Sequence, residues 1–192
     1  MRDTTRHTIL SVASLVFARR GSNHTTMNHV AKATGLGRRT IYTYFKTREE
    51  LYLEVIRNEV ERILRKLSRV VMMKISPEKK LIKFMNAHMR TVENLTRKDH
   101  LLRMELITRS EKIEHIRKVI DLHEKKCLAS IFEEGTHSGV FTVDDIQNTA
   151  ILALSTLKGL EAQFILDNFG KPCRETLELW QKIFYRGIKT SA

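Results

Sequence analysis

The sequence predicts an all-α protein with a small N-terminal helical domain and a larger helical C-terminal domain. Apolar residues recur at spacings of three and four along the chain, as they do on one face of a helix, and no two segments read as paired strands. Only two prolines and eight glycines occur in 192 residues, so few positions interrupt a helix. We expect about nine helices, with the first domain over residues 1–47 and the second over residues 48–192.

The composition is that of an ordinary folded chain, but its charge is unevenly distributed. Hydrophobic residues make up 42% and charged residues 29%, and the net charge is +12. The first 46 residues contain eight lysines or arginines and one acid, Asp3. A polyanion is the simplest partner for such a segment, because neutralised phosphates release counterions. A membrane surface could use the same charge, but the apolar residues of the first helix follow a core pattern rather than a broad lipid-facing stripe.

Targeting and redox signals are weak. No apolar run approaches the roughly 20 residues of a membrane span, and the opening residues MRDTTRHTIL lack the apolar core of a secretory signal. We therefore expect a cytoplasmic protein with no membrane partner. Cys127 and Cys173 have no metal-type spacing and are interpreted as free structural thiols.

Two short helices are predicted within residues 25–46, TTMNHVAKATGLGRRTIYTYFK. Thr25 or Thr26 can cap a helix that runs from about Met27 to Thr34, and Gly35 can end it in a left-handed conformation. The next helix begins near Gly37 or Arg38. Ile41 and Phe45 lie four residues apart on it and can point together into a small core.

This pair of helices is typical of a helix-turn-helix, whose second helix presents its N-terminal residues to the major groove of DNA. Arg38, Arg39 and Thr40 are the candidates for groove contacts, since arginine can donate two hydrogen bonds to guanine and the threonine methyl can touch thymine. The alternative is a helical hairpin with a solvated basic face. In that case Arg39 is a surface charge and Tyr42 a core residue with a hydrated hydroxyl.

The segment Thr47-Arg48-Glu49-Glu50 has the form of a capping box and opens a long helix that we expect to end near Met73. The positive end of this helix, beside Lys46, predicts a phosphate site. The start of the helix after Thr25 and Thr26 could hold a phosphate in the same way.

Residues 6–56 resemble the TetR family of bacterial transcriptional regulators. Arg6, Ile9, Leu10, Ala13, Phe17 and Gly21 match the family's first-helix pattern R-x-x-I-L-x-x-A-x-x-x-F-x-x-x-G. TTMNHVAKATGLGRRTIYTYFKTREEL is similar to T-T-x-x-x-I-A-x-x-A-G-V-x-x-x-T-L-Y-x-Y-F-x-x-K-E-x-L. Ser22, Thr34 and Arg48 depart from the family's usual residues, and none of them removes a residue that DNA binding needs.

The resemblance implies a homodimer that binds double-stranded DNA at a pseudo-palindromic operator. Tyr42, Tyr44 and Lys46 match family positions that touch phosphates or the groove wall. The predicted DNA-binding residues are Thr25, Thr26, Gly37, Arg38, Arg39, Thr40, Tyr42, Tyr44 and Lys46.

The remaining helices are predicted from their end signals. Ser76 and Pro77 start one that runs to about Leu95, a short helix covers about Asp99 to Thr108, and Ser110 caps a long one that breaks between Gly135 and Gly139. Thr142 is expected to cap the next helix. Residues 168–172 then form a turn with a terminating glycine, Gly170, before the last helix.

In the family, the last two helices form the dimer interface, and the helices before them enclose a pocket for a small-molecule effector. The resemblance therefore implies an interface over residues ~143–167 and ~173–189 that includes Leu154, Leu157, Leu177, Trp180 and Phe184. The candidate pocket residues are Phe84, Met85, His88, Met89, Leu102, Met104, Ile116, Ile120, Phe164 and Tyr185. The alternative for both sets is plain core packing, and a hydrogen-bonded core histidine is the alternative for His88.

Enzyme, cofactor and metal signatures are missing from the sequence. There is no G-x-S-x-G, Walker loop, H-E-x-x-H or G-x-G-x-x-G. His115 and His123 lie eight apart without a further ligand set. The sequence thus predicts no catalytic residue, no cofactor and no metal ion. It predicts a TetR-like repressor released by a small molecule, with a ligand-independent or partner-controlled DNA-binding protein as the alternative.

Overall fold

The computed structural model describes residues 2–21, 23–98 and 111–190. Eight helices lie in these ranges: α1 (Arg2–Arg20), α2 (Met27–Thr34), α3 (Arg38–Tyr44), α4 (Arg48–Val71), α5 (Pro77–Lys98), α6 (Glu111–His137), α7 (Ile146–Leu166) and α8 (Lys171–Ile188). The one β feature among the described residues is an isolated antiparallel bridge between Phe141 and Lys189. The predicted all-α fold is confirmed, and the short helix expected over 99–108 falls outside the described residues.

The chain forms two compact units. The first extends through α1–α3 to Arg62, and the second contains Ile63–Asn94 and the helices α6, α7 and α8. The predicted functional boundary between residues 47 and 48 stays a prediction.

The first unit has a small apolar core that supports α3. The rings of Phe17 and Tyr52 lie 5.1 Å apart, at a tilt, and join α1 to α4. The core consists of twelve buried side chains: Ile9, Leu10, Ala13, Phe17, Met27, Val30, Ala31, Ile41, Phe45, Leu51, Tyr52 and Val55.

Several predicted helix ends are confirmed in the structure. Pro77 is the first residue of α5, and the Ser76 Oγ accepts a hydrogen bond from the Lys79 amide at 3.4 Å. The helix predicted to break near Gly135 ends at His137.

Two predicted ends are wrong. Asp145, not Thr142, caps α7, and its carboxylate accepts a hydrogen bond from the Asn148 amide at 2.9 Å. Thr142 instead donates its amide to the Ile188 carbonyl, so this segment pairs with the end of α8. Between α7 and α8 the left-handed residues are Asn168 and Phe169, both at φ 53°, whereas Gly170 has φ −63° and is the N-cap of α8.

The helix α7 requires a second correction. It is the one described helix that is long and apolar enough to cross a membrane by length and composition alone, although the sequence analysis expected no such segment. Its only charged residues are Lys158 and Glu161, which explains why it passes this test. Because Glu161, Leu157 and Phe164 are among its buried residues, α7 is built as a core helix of the second unit.

Candidate nucleic-acid interface

The helix α2 is fixed at both ends. Thr26 is its N-cap: the Thr26 hydroxyl accepts a hydrogen bond from the His29 amide at 3.3 Å, and the His29 Nδ1 accepts one from the Thr26 amide at 3.2 Å. Gly35 ends α2 with φ 69°, a left-handed conformation in which a Cβ is strained. These contacts confirm the predicted cap and terminating glycine, and they set where α3 begins.

The helix α3 is held from one side only. Ile41 and Phe45 are fully buried, as predicted, and anchor this short helix to the first unit's core. Its opposite face carries Arg38, Arg39 and Tyr42, with Lys46 just beyond its end, and all four side chains are exposed. Gly37 is the N-cap of α3, and a Cβ there would meet only the Thr40 hydroxyl at 3.9 Å. The open approach to this end suits close contact with another backbone.

Arg38 and Tyr42, both on this face, form a cation–π contact. The Arg38 guanidinium lies 5.8 Å from the centroid of the Tyr42 ring, one helical turn away. This cation–π contact restrains a long side chain that would otherwise sample many rotamers. The arginine is therefore partly ordered before it meets a ligand.

The start of α4 differs from the prediction. Thr47 caps it by accepting a hydrogen bond from the Glu50 amide at 3.0 Å, but the Glu50 carboxylate accepts from the Lys46 amide at 2.6 Å. The carboxylate thus occupies the Lys46 amide, and the phosphate site at this end of α4 stays a prediction.

Three predicted contact residues are less exposed than the others. The Thr25 side chain is 1% exposed and donates its hydroxyl to the Gly21 carbonyl at 2.9 Å, which makes it part of the turn after α1. Tyr44 is half-buried and packs against the core of the first unit. Thr40 is also half-buried.

Sequence reasoning did not single out Thr43. It is exposed one turn after Arg39, and its hydroxyl donates to the Arg39 carbonyl at 2.9 Å. The spacing of Arg39 and Thr43 could have revealed it, because residues four apart share a helix face.

Arg6 has a structural role in the same unit. Its guanidinium forms an ion pair with Glu54 and lies 5.3 Å from the centroid of the Phe45 ring. The hydrogen bonds from Arg6 and Arg57 lower the pKa of the Glu54 carboxyl against the opposing effect of burial. Arg6 therefore ties α1 to α4 behind α3 rather than adding a free charge to its exposed face.

Eight of the ten predicted pocket residues lie in the second unit. Phe84, Met85, His88, Met89 and Phe164 are buried there, whereas Ile116, Ile120 and Tyr185 are partly exposed. Leu102 and Met104 lie outside the described residues. The Tyr185 ring is 6.3 Å from that of Phe141. Burial and, after it, the nearby Glu78 carboxylate raise the pKa of Tyr185. Glu78 precedes His88 by ten residues, or about 15 Å along α5. The structure thus separates Tyr185 from the residues around His88.

His88 is a hydrogen-bonded core residue. Its Nδ1 lies 2.5 Å from the Glu124 Oε1, and its Nε2 lies 3.1 Å from the Glu161 Oε2. Burial disfavours the imidazolium, but the two carboxylates outweigh it and raise the pKa of His88 to about 10. The side chain is therefore charged at neutral pH and donates from both nitrogens.

Three of the five predicted interface residues, Leu154, Leu157 and Leu177, are buried within the chain. Trp180 and Phe184 are half-buried and stack on one another 5.4 Å apart. Phe184 also packs on Phe132 at 6.0 Å. The interface that the resemblance implies stays a prediction. The exposed large apolar side chains of α7 and α8 are instead Ile151, Leu152, Leu166, Leu179 and Ile183.

No metal-binding group accompanies these residues in the part of the chain that the structure describes. Within 2–21, 23–98 and 111–190, no group of three histidine, cysteine or acidic residues is placed to hold a metal ion. His123 contacts the Ser68 hydroxyl at 2.9 Å. The exposed face of α3 carries basic side chains, and such a surface can bind phosphates and base edges.

Comparison with known proteins agrees with this geometry. Residues 9–55 match the family described as bacterial regulatory proteins, tetR family. An uncharacterised HTH-type transcriptional regulator of Bacillus subtilis, YhgD, is 30% identical over 152 residues, which cover 76% of each chain.

Two solved structures show the same fold. A transcriptional regulator from Cytophaga hutchinsonii superimposes with a TM-score of 0.82 at 20% identity, over 95% of this chain and 97% of that one. FadR from Bacillus subtilis, in complex with stearoyl-CoA, superimposes with a TM-score of 0.68 at 18% identity, over 95% of this chain and 98% of that one. The helix-turn-helix with its outward basic face, the matching family segment and the relative that spans most of the chain lead to one conclusion: this chain belongs to the TetR family of bacterial regulatory proteins and is a DNA-binding regulator of transcription.

Proposed function

We propose that the chain is a cytoplasmic repressor that binds a pseudo-palindromic operator as a homodimer and leaves it when a small molecule binds. The observation that carries the proposal is the exposed face of α3, where Arg38, Arg39, Tyr42 and Lys46 project from a helix anchored by Ile41 and Phe45. Arg38 and Arg39 contact base edges from the start of α3. Tyr42 and Lys46, with the half-buried Thr40 and Tyr44, contact the backbone or the groove wall.

Thr26 and Gly37 contribute through the backbone. Each is the N-cap of a short helix whose first amides face outward, and Gly37 lets another backbone come close. We leave Thr25 out of the interface, because its buried hydroxyl is already bonded to Gly21.

The dimer uses an exposed stripe on α7 and α8. On α7 it consists of Leu152, Ser155, Gly159, Ala162 and Leu166, which are all exposed and are spaced three and four apart. A Cβ at Gly159 would meet nothing within 4 Å, so a second helix can approach this point closely. Leu179 and Ile183 continue the apolar surface on α8, at 57% and 63% exposure. An apolar stripe of this kind suits a self-complementary two-fold contact.

A small-molecule effector is supported by the buried residues of the second unit and by FadR, which forms a complex with stearoyl-CoA. Phe84, Met85, Met89 and Phe164 supply apolar surface. An effector releases DNA only if it binds the non-binding conformation more tightly.

The test is duplex binding by fluorescence anisotropy, with an operator selected from random duplexes. We expect Arg39→Ala to weaken binding by about 10-fold or more and to lower the salt slope by about one. Arg90→Ala removes an exposed arginine of the second unit and serves as the matched control, which should bind like the wild type. Equal binding by the Arg39 variant and the wild type across salt concentrations would contradict the assignment of α3.

A reporter gene behind the selected operator tests the direction of regulation. Higher expression when the protein is absent supports repression, and lower expression contradicts it. Release of the duplex by a metabolite extract supports the sensor, whereas binding that no small-molecule fraction changes favours the ligand-independent alternative.

A further inference from the structure

A buried group of charged side chains joins three helices of the second unit. His88 of α5, Glu124 of α6 and Glu161 of α7 are 4%, 1% and 6% exposed. The His88 imidazole lies between the two carboxylates and donates to both, at 2.5 and 3.1 Å. Single residues from three separate helices thus meet at one ring.

Two further cations act on this group. Burial raises the pKa of the Glu161 carboxyl, but His88, Lys158 and Arg117 together lower it. The Lys158 ammonium is bonded to Asp121 and lies 3.9 Å from the Glu124 Oε2. That distance gives an ion pair but no hydrogen bond.

The Glu124 Oε2 is a buried acceptor without a hydrogen-bond donor among the described residues. Its partner oxygen Oε1 is bonded to His88, so Oε2 is the side of the carboxylate that a further donor can reach. An unsatisfied buried acceptor costs free energy, and a charged one costs more, so this position favours a group that brings both an N–H and a positive charge.

Apart from Lys158, apolar side chains surround this group. The buried apolar residues one helical turn from His88, Glu124 and Glu161 on their own helices are Phe84, Met85, Val92, Cys127, Leu128, Leu157, Phe164 and Ile165. A ligand that reaches Glu124 therefore needs an apolar body behind its charged end. A carboxylate or phosphate would be repelled by the carboxylates of Glu124 and Glu161.

We propose that the Glu124 Oε2 is the recognition point for a protonated primary amine carried on an apolar chain, and that such an amine is the class of effector this regulator senses. This inference rests on the proposed effector-controlled function. Because Glu124 is buried, the amine reaches it only when α5, α6 and α7 separate locally. Binding therefore selects a different arrangement of these helices, which is what an effector must do.

The test compares three ligands with the same chain length by isothermal titration calorimetry on the DNA-free protein at pH 7: octylammonium, octan-1-ol and octanoate. We expect octylammonium to bind about 10-fold more tightly than octan-1-ol, because it alone brings a positive charge to the hydrogen bond with the carboxylate. Octanoate should bind least. Stearoyl-CoA is a fourth ligand, and it should bind more weakly than octylammonium.

Three variants locate the site. Glu124→Gln keeps the shape of the side chain but removes its charge, and it should lower octylammonium affinity to that of octan-1-ol. Glu133→Gln removes an exposed carboxylate from the same helix and should leave the affinity unchanged. Lys158→Met removes the competing cation and should raise the affinity for octylammonium.

The outcomes separate the two proposals. Tighter binding of octanoate or stearoyl-CoA, no binding of octylammonium, or equal octylammonium binding by the Glu124 and Glu133 variants would overturn the amine site. If Glu124→Gln does not fold, the ranking of the ligands on the wild type and the Lys158→Met result decide. Operator binding is measured on the ligand-free protein, so its loss would overturn the proposed function without affecting the calorimetry.

Discussion

The two units of this chain differ in where their charged side chains lie. In the first unit no described residue buries a charge, and the arginines and lysine around α3 face outward from an apolar core. In the second unit His88, Glu124, Glu161 and Lys80 are buried, and each has an ionic partner within the chain. Exposed charges remain available to a polyanion, whereas buried charges must be balanced internally and so link the helices that carry them.

Phe45 gives the most direct test of how the apolar core of the first unit supports the exposed charges of α3. Phe45→Ala removes a fully buried ring beneath α3 and should cost about 3–5 kcal/mol of unfolding free energy, together with duplex binding. Urea denaturation and anisotropy measure the two effects. Tyr42→Ala, on the exposed face of the same helix, is the control and should lose duplex binding but little stability. Equal destabilisation by both variants would contradict the one-sided anchoring of α3.

The buried charges predict a pH-dependent effect in the second unit. His88→Gln should cost about 3 kcal/mol at pH 6, because it leaves two buried carboxylates without their cation. The pKa of His88 is raised from 6.5 to about 10 in the folded protein. Its stabilisation is therefore complete below the unfolded pKa near 6.5 and is lost as the pH rises through about 10.

The measurement for His88 is urea denaturation of wild type and variant at several pH values. The difference between them should shrink from pH 6 to pH 9.5, by about 1.4 kcal/mol per pH unit at most. Glu124 and Glu161, which contact His88, and Lys158, which lies 3.9 Å from the Glu124 Oε2, are kept in both proteins. A difference that stays constant over this range would show that His88 is not the titrating group.

Packing at the end of α6 gives a smaller effect. A Cβ at Gly135 would overlap the ring of Phe141, which is buried against this helix. Gly135→Ala should therefore cost about 1–3 kcal/mol through overpacking, even though alanine favours helices. Gly187→Ala on α8 is the control, since its new methyl group meets nothing within 4 Å. A thermal shift of the same sign and size in both variants would contradict the packing argument.

The smallest effect is expected at the cap of α2. Thr26→Ala removes the hydroxyl that accepts from the His29 amide and should cost about 1 kcal/mol in the first unit. Thr26→Ser, which keeps the hydroxyl, should recover most of that loss. Failure of the serine variant to recover stability would show that the cap bond does not carry the effect.

The helix-turn-helix could be predicted from the sequence because its determinants are local. The cap at Thr26, the left-handed Gly35 and the pair Ile41 and Phe45 lie within twenty residues, and each is present in the structure. The sequence predicted Thr142 as the cap of α7, but Asp145 is the cap. Both residue types can cap a helix, and only the pairing of Thr142 with Ile188 decides between them.

Burial of the later helices could not be predicted in the same way. Helical spacing placed Leu154, Leu157 and Leu177 on apolar stripes, but α7 and α8 carry apolar residues on more than one face. Which face packs internally depends on α5 and α6, residues far away in the sequence. The proposed dimer surface therefore lies on the neighbouring, exposed stripe through Leu152, Gly159 and Leu166.

The amino-acid sequence by itself determined the helices, most of their ends and the basic character of the first forty-six residues. The reason is that caps, turn residues and the 3.6-residue periodicity act over only a few positions. Only the tertiary structure decided that His88 meets Glu124 and Glu161, and that the Glu124 Oε2 is left without a described donor. Those residues are 36 and 73 positions from His88, so their contact depends on how whole helices pack.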